Sequence, residues 1–173
     1  MNGFPAYPPK PLYLSPRSPL FKELDNDPNW IAERKINGRR VIIVGEFDGV
    51  KVYTRQKRLI EMRKESKIQF GTGLDGELEF KTKKMFIFDC FMWEGKRLWR
   101  YPLIQRKDIL SKLALDDDME RLVPVELNKL KFYEDCIKAG DEGIVIKRKD
   151  SKWQGDLKSS KKVAEWLKIK PKP

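Results

Sequence analysis

The sequence predicts one α+β domain built on antiparallel sheets. Three observations carry that expectation. Over residues 30–91 the apolar positions follow strand patterns, with turn signals between them. Beyond Pro102 the spacing becomes helical, and two strand patterns close the chain. The chain has 173 residues, of which 40 % are apolar and 11 % aromatic. That is enough for a core and too apolar for a disordered chain.

The elements follow in order. The first 20 residues hold Pro5, Pro8, Pro9, Pro11, Pro16 and Pro19. Proline fixes φ and removes a donor, so residues 1–29 are expected to be an extended lead-in rather than a helix or sheet interior. Phe4, Tyr7, Leu12, Tyr13 and Leu14 would pack it along a domain spanning residues 30–173. Residues 40–46 are β-branched and apolar, residues 50–54 alternate, and Asp48-Gly49 between them signals a hairpin turn. Residues 59–66 suit a short helix. In residues 74–80, Leu74, Gly76, Leu78 and Phe80 alternate with Asp75, Glu77 and Glu79, the period of a strand with one wet face. Residues 85–92 form a near-continuous apolar strand, and Glu94-Gly95 turns it back. Leu103, Ile104, Ile109, Leu110 and Leu113 make a helical stripe, ended by Asp116-Asp117-Asp118 as a solvated loop. A strand over 121–127 follows, then a helix over 129–139 with Gly140 to stop it. Strands over 143–148 and 163–169 complete the chain.

Composition narrows the chemistry. Lys and Arg total 37 against 26 Asp and Glu, a formal charge of +11. That excess suits a polyanionic partner, nucleic acid ahead of a membrane surface, and suits a heat-stable Lys/Glu-rich protein about equally. The absence of histidine excludes Ser-His-Asp and Cys-His nucleophile systems, histidine-ligated zinc and a histidine base. Catalysis would have to run on lysine, arginine, carboxylates and metal. No apolar run approaches the ~18–20 residues of a membrane span, and the N-terminus shows no apolar leader core. Cys90 and Cys136 stand far apart, which fits a reducing compartment and no disulfide scaffold. From residue 147 onward ten Lys and Arg stand against Asp150, Asp156 and Glu165, interleaved with Trp153, Gly155 and Trp166. Alternation in Trp166-Leu167-Lys168-Ile169-Lys170 would put both lysines on one face, a candidate phosphate rim.

Three segments carry candidate chemistry. In Glu33-Arg34-Lys35-Ile36-Asn37-Gly38-Arg39-Arg40, a lysine ends one strand signal ahead of a glycine turn. Lysine attacks only through its unprotonated amine, a form favoured by burial or nearby cations; Arg40, Lys168 and Lys170 are the candidate neighbours. In Leu74-Asp75-Gly76-Glu77-Leu78, a carboxylate could hold a ribose hydroxyl or Mg²⁺. In Asp141-Glu142-Gly143-Ile144-Val145-Ile146-Lys147, an acid and a lysine bracket a buried strand. Taken singly, each also reads as an ordinary surface lysine, acidic strand or helix stop. No Gly-x-x-x-x-Gly-Lys-Ser/Thr loop occurs, so a bound nucleotide would not use a P-loop.

Together and in this order the segments resemble a known family. Lys-Ile-Asn-Gly-Arg-Arg, Leu-Asp-Gly-Glu-Leu, Phe-Ile-Phe-Asp-Cys, Glu-Gly-Ile-Val-Ile-Lys and Trp-Leu-Lys-Ile-Lys are similar to the five nucleotidyltransferase motifs of the ATP-dependent DNA ligases. Their superfamily also holds RNA ligases and mRNA-capping enzymes. The connectors Pro102-Leu103-Ile104-Gln105-Arg106-Lys107 and Arg148-Lys149-Asp150-Ser151 resemble ligase connectors too.

The resemblance implies an ATP-grasp-like nucleotidyltransferase domain of antiparallel sheets flanked by helices around a nucleotide cleft, with no OB-fold within this chain. It implies that Lys35 attacks the α-phosphate of ATP and carries AMP. Glu33 and Arg34 would flank the adenine, Phe88 would stack on it, and Arg40 would contact the ribose or phosphate. Arg55 would bind phosphate. Glu77 would hold the ribose or assist Mg²⁺ or Mn²⁺, and Glu142 would be the other metal-linked carboxylate. Lys168 and Lys170, joined by Lys147, would grip the α-phosphate. The implied partners are ATP, nicked duplex DNA and an OB-fold domain beyond residue 173 or in trans, with no membrane. The implied setting is intracellular, in cytoplasm or nucleoid, with a viral or phage source open. Asn37 departs from the family, where most members have Asp; an amide accepts hydrogen bonds but carries no charge. An RNA-directed relative and a non-catalytic basic module with exposed tryptophans are the competing readings.

Overall fold

The computed structural model describes residues 6–155 and 162–171. Phe4, Pro5 and Asp156, invoked above, lie outside them. A four-stranded sheet contains β1 (Lys10–Leu14), β2 (Trp30–Lys35), β10 (Gly143–Arg148) and β11 (Lys162–Ile169), in the order β1-β11-β10-β2. The larger sheet runs β5-β4-β3-β6-β7-β8, comprising β3 (Gly38–Glu46), β4 (Gly49–Thr54), β5 (Leu59–Arg63), β6 (Gly73–Glu79), β7 (Met85–Trp93) and β8 (Lys96–Arg97). Strand β9 (Met119–Arg121) adds to it beside β7. Neither sheet closes into a barrel.

Both faces of the larger sheet are covered, and this sets the site. One face carries Val41, Ile43, Leu74 and Ile87, packed with Leu110 of α2 (Leu103–Lys112). On the other, Ile42, Val44 and Phe91 meet Trp153, Val163 and Trp166 against the smaller sheet. Helix α3 (Lys129–Lys138) and the short α1 (Pro19–Glu23) cover the smaller sheet's far side through Cys136 and Phe21.

Several expectations are corrected. Residues 74–80 do not have a wet face. Asp75 is fully buried between the sheets, whereas Phe80 lies past the strand end and is 52 % exposed. Bulges at Gly73/Leu74 and Asp75/Gly76 break the simple alternation. Residues 59–63 are strand, because pairing with β4 overrides a local helical pattern. The expected strand at 121–127 shrinks to β9 and an isolated bridge between Val125 and Ala32. The hairpin tip is Phe47-Asp48, one residue early, with Gly49 already in β4 at φ +129°. The lead-in contains a strand and a helix. β1 pairs in parallel with β11 at a sheet edge, the position where proline is tolerated, and Pro19 opens α1. With β9 and β7 also parallel, the sheets are mixed rather than wholly antiparallel. On α2 the stripe is imperfect: Ile104 is exposed and Arg106 is buried. Asp116 is not merely solvated, since it accepts hydrogen bonds from the Ser66 hydroxyl, the Lys67 N–H and Arg63. Both tryptophans of the basic segment are buried, which removes the exposed aromatic platform from the binding-module reading.

Candidate active site

A cleft of about 720 Å³ opens between the two sheets. β2 delivers Glu33, Arg34 and Lys35 to it, and the following turn delivers Ile36. β3 brings Arg40, β6 brings Glu77 and β7 brings Phe88, while Arg55 reaches in from the turn after β4. The floor of the smaller sheet adds Val145, Lys147, Trp166 and Lys168. Antiparallel register explains this convergence. Lys35 stands opposite Gly143, Glu33 opposite Val145, and Val145 opposite Lys168. Segments separated by more than 100 residues thus share two adjacent rows of one sheet.

Glu142 and Lys170 join through Lys35. The Lys35 ammonium donates to Glu142 Oε2, and Lys170 Nζ donates to Oε1 at 3.0 Å. Burial works against the Glu142 carboxylate, but the hydrogen bonds from Lys35 and Lys170 outweigh it and hold its pKa below the usual range. Gly143 makes this approach possible. Its φ is +141°, and a Cβ there would lie 2.1 Å from the Ile169 carbonyl oxygen.

Other groups are held in pairs. Arg34 donates twice to Asp141, each at 2.8 Å. Arg40 donates to Asp75 at 2.6 and 2.7 Å, and Trp153 Nε1 donates to the same carboxylate at 3.0 Å. Glu33 is buried and accepts from Lys147 at 2.7 Å and from Lys107 of α2. The Lys147 ammonium also sits 4.3 Å from the Phe88 ring centre and 4.4 Å from that of Trp166. Burial pushes Lys147 down to about 7; Asp89 opposes that depression and Arg40 reinforces it. The contact with Glu33 opposes it as well. Lys168 is lowered by burial, with Lys35 and Lys170 adding to the effect.

Glu77 behaves differently. Among the described residues it has no basic hydrogen-bond partner, and burial lifts its carboxyl from 4.5 to about 7 despite Arg40 and Lys35 nearby. The folded state therefore holds this proton more tightly than the unfolded state. The stability this group contributes is fully present below pH 4.5 and is lost as pH rises through about 7. Glu77→Gln should raise stability at pH 8 by roughly 1–3 kcal/mol and flatten the pH dependence across that window. Chemical denaturation at pH 5 and pH 8 checks this.

Five residues that carry no role of their own in the sequence contribute to the site or its walls: Asp75, Asp141, Lys107 and the buried pair of Arg106 with Asp89. Asp141 adjoins a named motif residue and was visible in that sense. Lys107 and Arg106 were noticed only as connector residues, since their helical spacing gives no sign that they point inward. Asn37 is exposed, and its carbonyl accepts from the Phe80 N–H at 3.2 Å.

The residues fit a nucleotide. The apolar lining of Ile36, Phe88, Leu122 and Val145 suits a planar base, and the lysines and arginines suit phosphate. They also fit Mg²⁺ bound in its usual manner. Among the described residues no group of three His, Cys, Asp or Glu converges, so a cation here would rely on one or two carboxylates plus phosphate and water oxygens.

Comparison with known proteins bears on the fold and the family. The chain is 29 % identical over 176 residues to the SPbeta prophage-derived DNA ligase-like protein LigB of Bacillus subtilis, covering 86 % of this chain and 63 % of that protein. It therefore spans less than two thirds of that relative. In three dimensions it resembles the ligase domain of M. tuberculosis LigD, with TM-score 0.74 and 18 % identity over 95 % of this chain and 59 % of that one. It also resembles the ATP-dependent DNA ligase of bacteriophage T7 in complex with ATP, with TM-score 0.67 and 16 % identity over 96 % and 69 % of the two chains. These likenesses establish the nucleotidyltransferase domain fold of the ligases. Residues 75–170 match the family described as the ATP dependent DNA ligase domain. Spanning more than half of the sequence, that match shows that this chain belongs to the ATP-dependent DNA ligase family.

Proposed function

We propose that this chain is the adenylation unit of an ATP-dependent DNA ligase: it forms lysyl-AMP on Lys35 and passes AMP to the 5′-phosphate of a nick. The observation that carries this is the placing of Lys35 beside Glu142 and Lys170 at the mouth of a basic, apolar-walled cleft. Lys35 loses one proton to expose its lone pair, and Glu142, hydrogen-bonded to Nζ, is the acceptor in reach. The nitrogen attacks the α-phosphorus, an N–P bond forms, and the bond to the β-phosphate oxygen breaks. Pyrophosphate leaves with that electron pair, and the nitrogen's second proton goes to water. Lys168 and Lys170 neutralise charge on the α-phosphate; Arg40 and Arg55 hold neighbouring phosphate or ribose oxygens. Glu33, fixed by Lys107 and Lys147, and Arg34 border the base, which lies on Phe88. Glu77 and Glu142 would hold Mg²⁺ or Mn²⁺, which supplies further charge neutralisation at the phosphates. Such transfer rests on positioning and electrostatics and requires no histidine.

The substrate and partners belong to the same proposal: ATP, nicked duplex DNA for strand joining in repair, replication or recombination, and an OB-fold domain in cis or in trans. The unit is residues 30–173, with a lead-in over residues 1–29 whose described part runs along it, working inside the cell. The test uses ATP labelled at the α-phosphate. Label should enter the protein with Mg²⁺ and then move to a nicked DNA duplex. Label from GTP entering equally well would favour a capping-type enzyme, and transfer confined to nicked RNA would favour an RNA ligase.

A further inference from the structure

Only some of the cations at the cleft are neutralised by a carboxylate. Arg34, Arg40, Lys147, Lys35 and Lys170 each meet a carboxylate. Lys10, Arg55, Arg58 and Lys162 also line the cleft, and among the described residues none of them has a carboxylate partner. They come from three separate segments. Lys10 opens β1 and Lys162 opens β11, and the two stand side by side in parallel register. Arg55 and Arg58 come from the turn between β4 and β5. That turn is tied to the lead-in, because the Lys57 ammonium sits 4.3 Å from the Tyr7 ring centre. Arg58 is fixed locally, its N–H donating to Thr54 Oγ1 and its carbonyl accepting from the Thr54 N–H.

The cluster is continuous with the attack site. Lys168 feels Lys35 and Lys170, and it also feels Lys162. A line of positive charge therefore runs from Lys35 through Lys168 to Lys162 and its neighbour Lys10. One α-phosphate cannot balance that surplus. A linear polyanion lying in the cleft can, and the cations face a concave space rather than a broad outer surface suited to a duplex.

Resting on the nucleotide reading above, we infer that Lys10, Arg58 and Lys162 form a subsite for the β- and γ-phosphates of the nucleotide, so that the leaving pyrophosphate is held by this chain itself. The lead-in, through Tyr7 and Lys10, is then part of the binding site. The inference assigns no new covalent step; the subsite receives the charge that pyrophosphate carries away.

The experiment is titration calorimetry on the full chain with AMP, ATP and inorganic pyrophosphate, in a chelator so that no adenylation occurs. Wild type should bind ATP more tightly than AMP. The double variant Lys10→Gln/Lys162→Gln should weaken ATP and pyrophosphate by roughly three- to tenfold, the scale of two partly exposed charge contacts. Its AMP affinity should be unchanged, which also shows that the site is folded; Lys162→Gln alone should give a smaller effect in the same direction. Equal affinity of wild type for ATP and AMP would overturn the inference. So would an ATP-to-AMP ratio that the variants leave intact, including the case where they weaken only binding to a nicked duplex. Failure of AMP itself to bind wild type would instead overturn the nucleotide reading beneath it.

Discussion

Lys35→Ala should abolish the covalent AMP adduct while leaving the protein folded and able to bind ATP. Lys35 lies at the rim of the cleft, not in a hydrophobic cluster, so its removal opens no core cavity. It does free Glu142, which keeps Lys170 as a partner at 3.0 Å. The fold should therefore lose little. Without an amine at this position no N–P bond can form, and adduct formation should fall by on the order of 10³-fold or more. Lys35→Arg should fail equally. It keeps the positive charge and the salt bridge, but guanidinium remains protonated to above about pH 12 and has no lone pair to offer. Intact-mass measurement after incubation with ATP and Mg²⁺ checks both variants, and the arginine variant separates charge from nucleophilicity. Persistence of the adduct in either would move the nucleophile to another residue.

Arg106→Met should cost about 3–5 kcal/mol of stability. Arg106 and Asp89 are both fully buried and share two hydrogen bonds, at 2.8 and 2.9 Å. The guanidinium also donates to the carbonyls of Tyr101 and Ser151, at 2.5 and 2.9 Å. One side chain on α2 thereby ties β7 of the larger sheet to the segment that follows β10 of the smaller one. Removing it strands a buried carboxylate next to Phe88 and loosens the two walls of the cleft together. The melting temperature should drop by on the order of 10 °C. Arg106→Lys should recover only part of that, because one ammonium cannot reproduce the planar fork. The double variant Arg106→Met/Asp89→Leu should recover more, since no charge is then left buried alone. Calorimetric melts of all three would decide it. A loss under about 1 kcal/mol for Arg106→Met would mean that the pair is not the clamp described.

The parts of the fold legible in the sequence were those written in local periodicity. The apolar run of β7, the alternation of β4, the Glu94-Gly95 turn and the Gly140 stop all stand where pattern and glycine placed them. Lys35, Glu77, Phe88, Lys147 and Lys168 were legible because each sits in a short motif, and the strand registers bring those motifs to one cleft. What alternation could not show was that the acidic face of β6 meets a second sheet. A strand buried on both faces can still alternate when its inward carboxylate has an arginine waiting, as Asp75 has Arg40. The same blindness hid Arg106 and Lys107, whose charges suggest solvent until a buried acid is found opposite each. Residues 59–63 form β5 against their local helical pattern because pairing with β4, a tertiary fact, outweighs local preference.

The central claim is that the Lys35 amine, at the mouth of the cleft between the two sheets, is the atom that takes AMP. Peptide mapping of the protein after reaction with ATP and Mg²⁺ tests it most directly. The account predicts AMP on the single peptide containing Lys35, with Lys147, Lys168 and Lys170 unmodified. AMP on any of those three lysines, or no adduct on a protein that nonetheless seals nicked DNA with ATP, would contradict it.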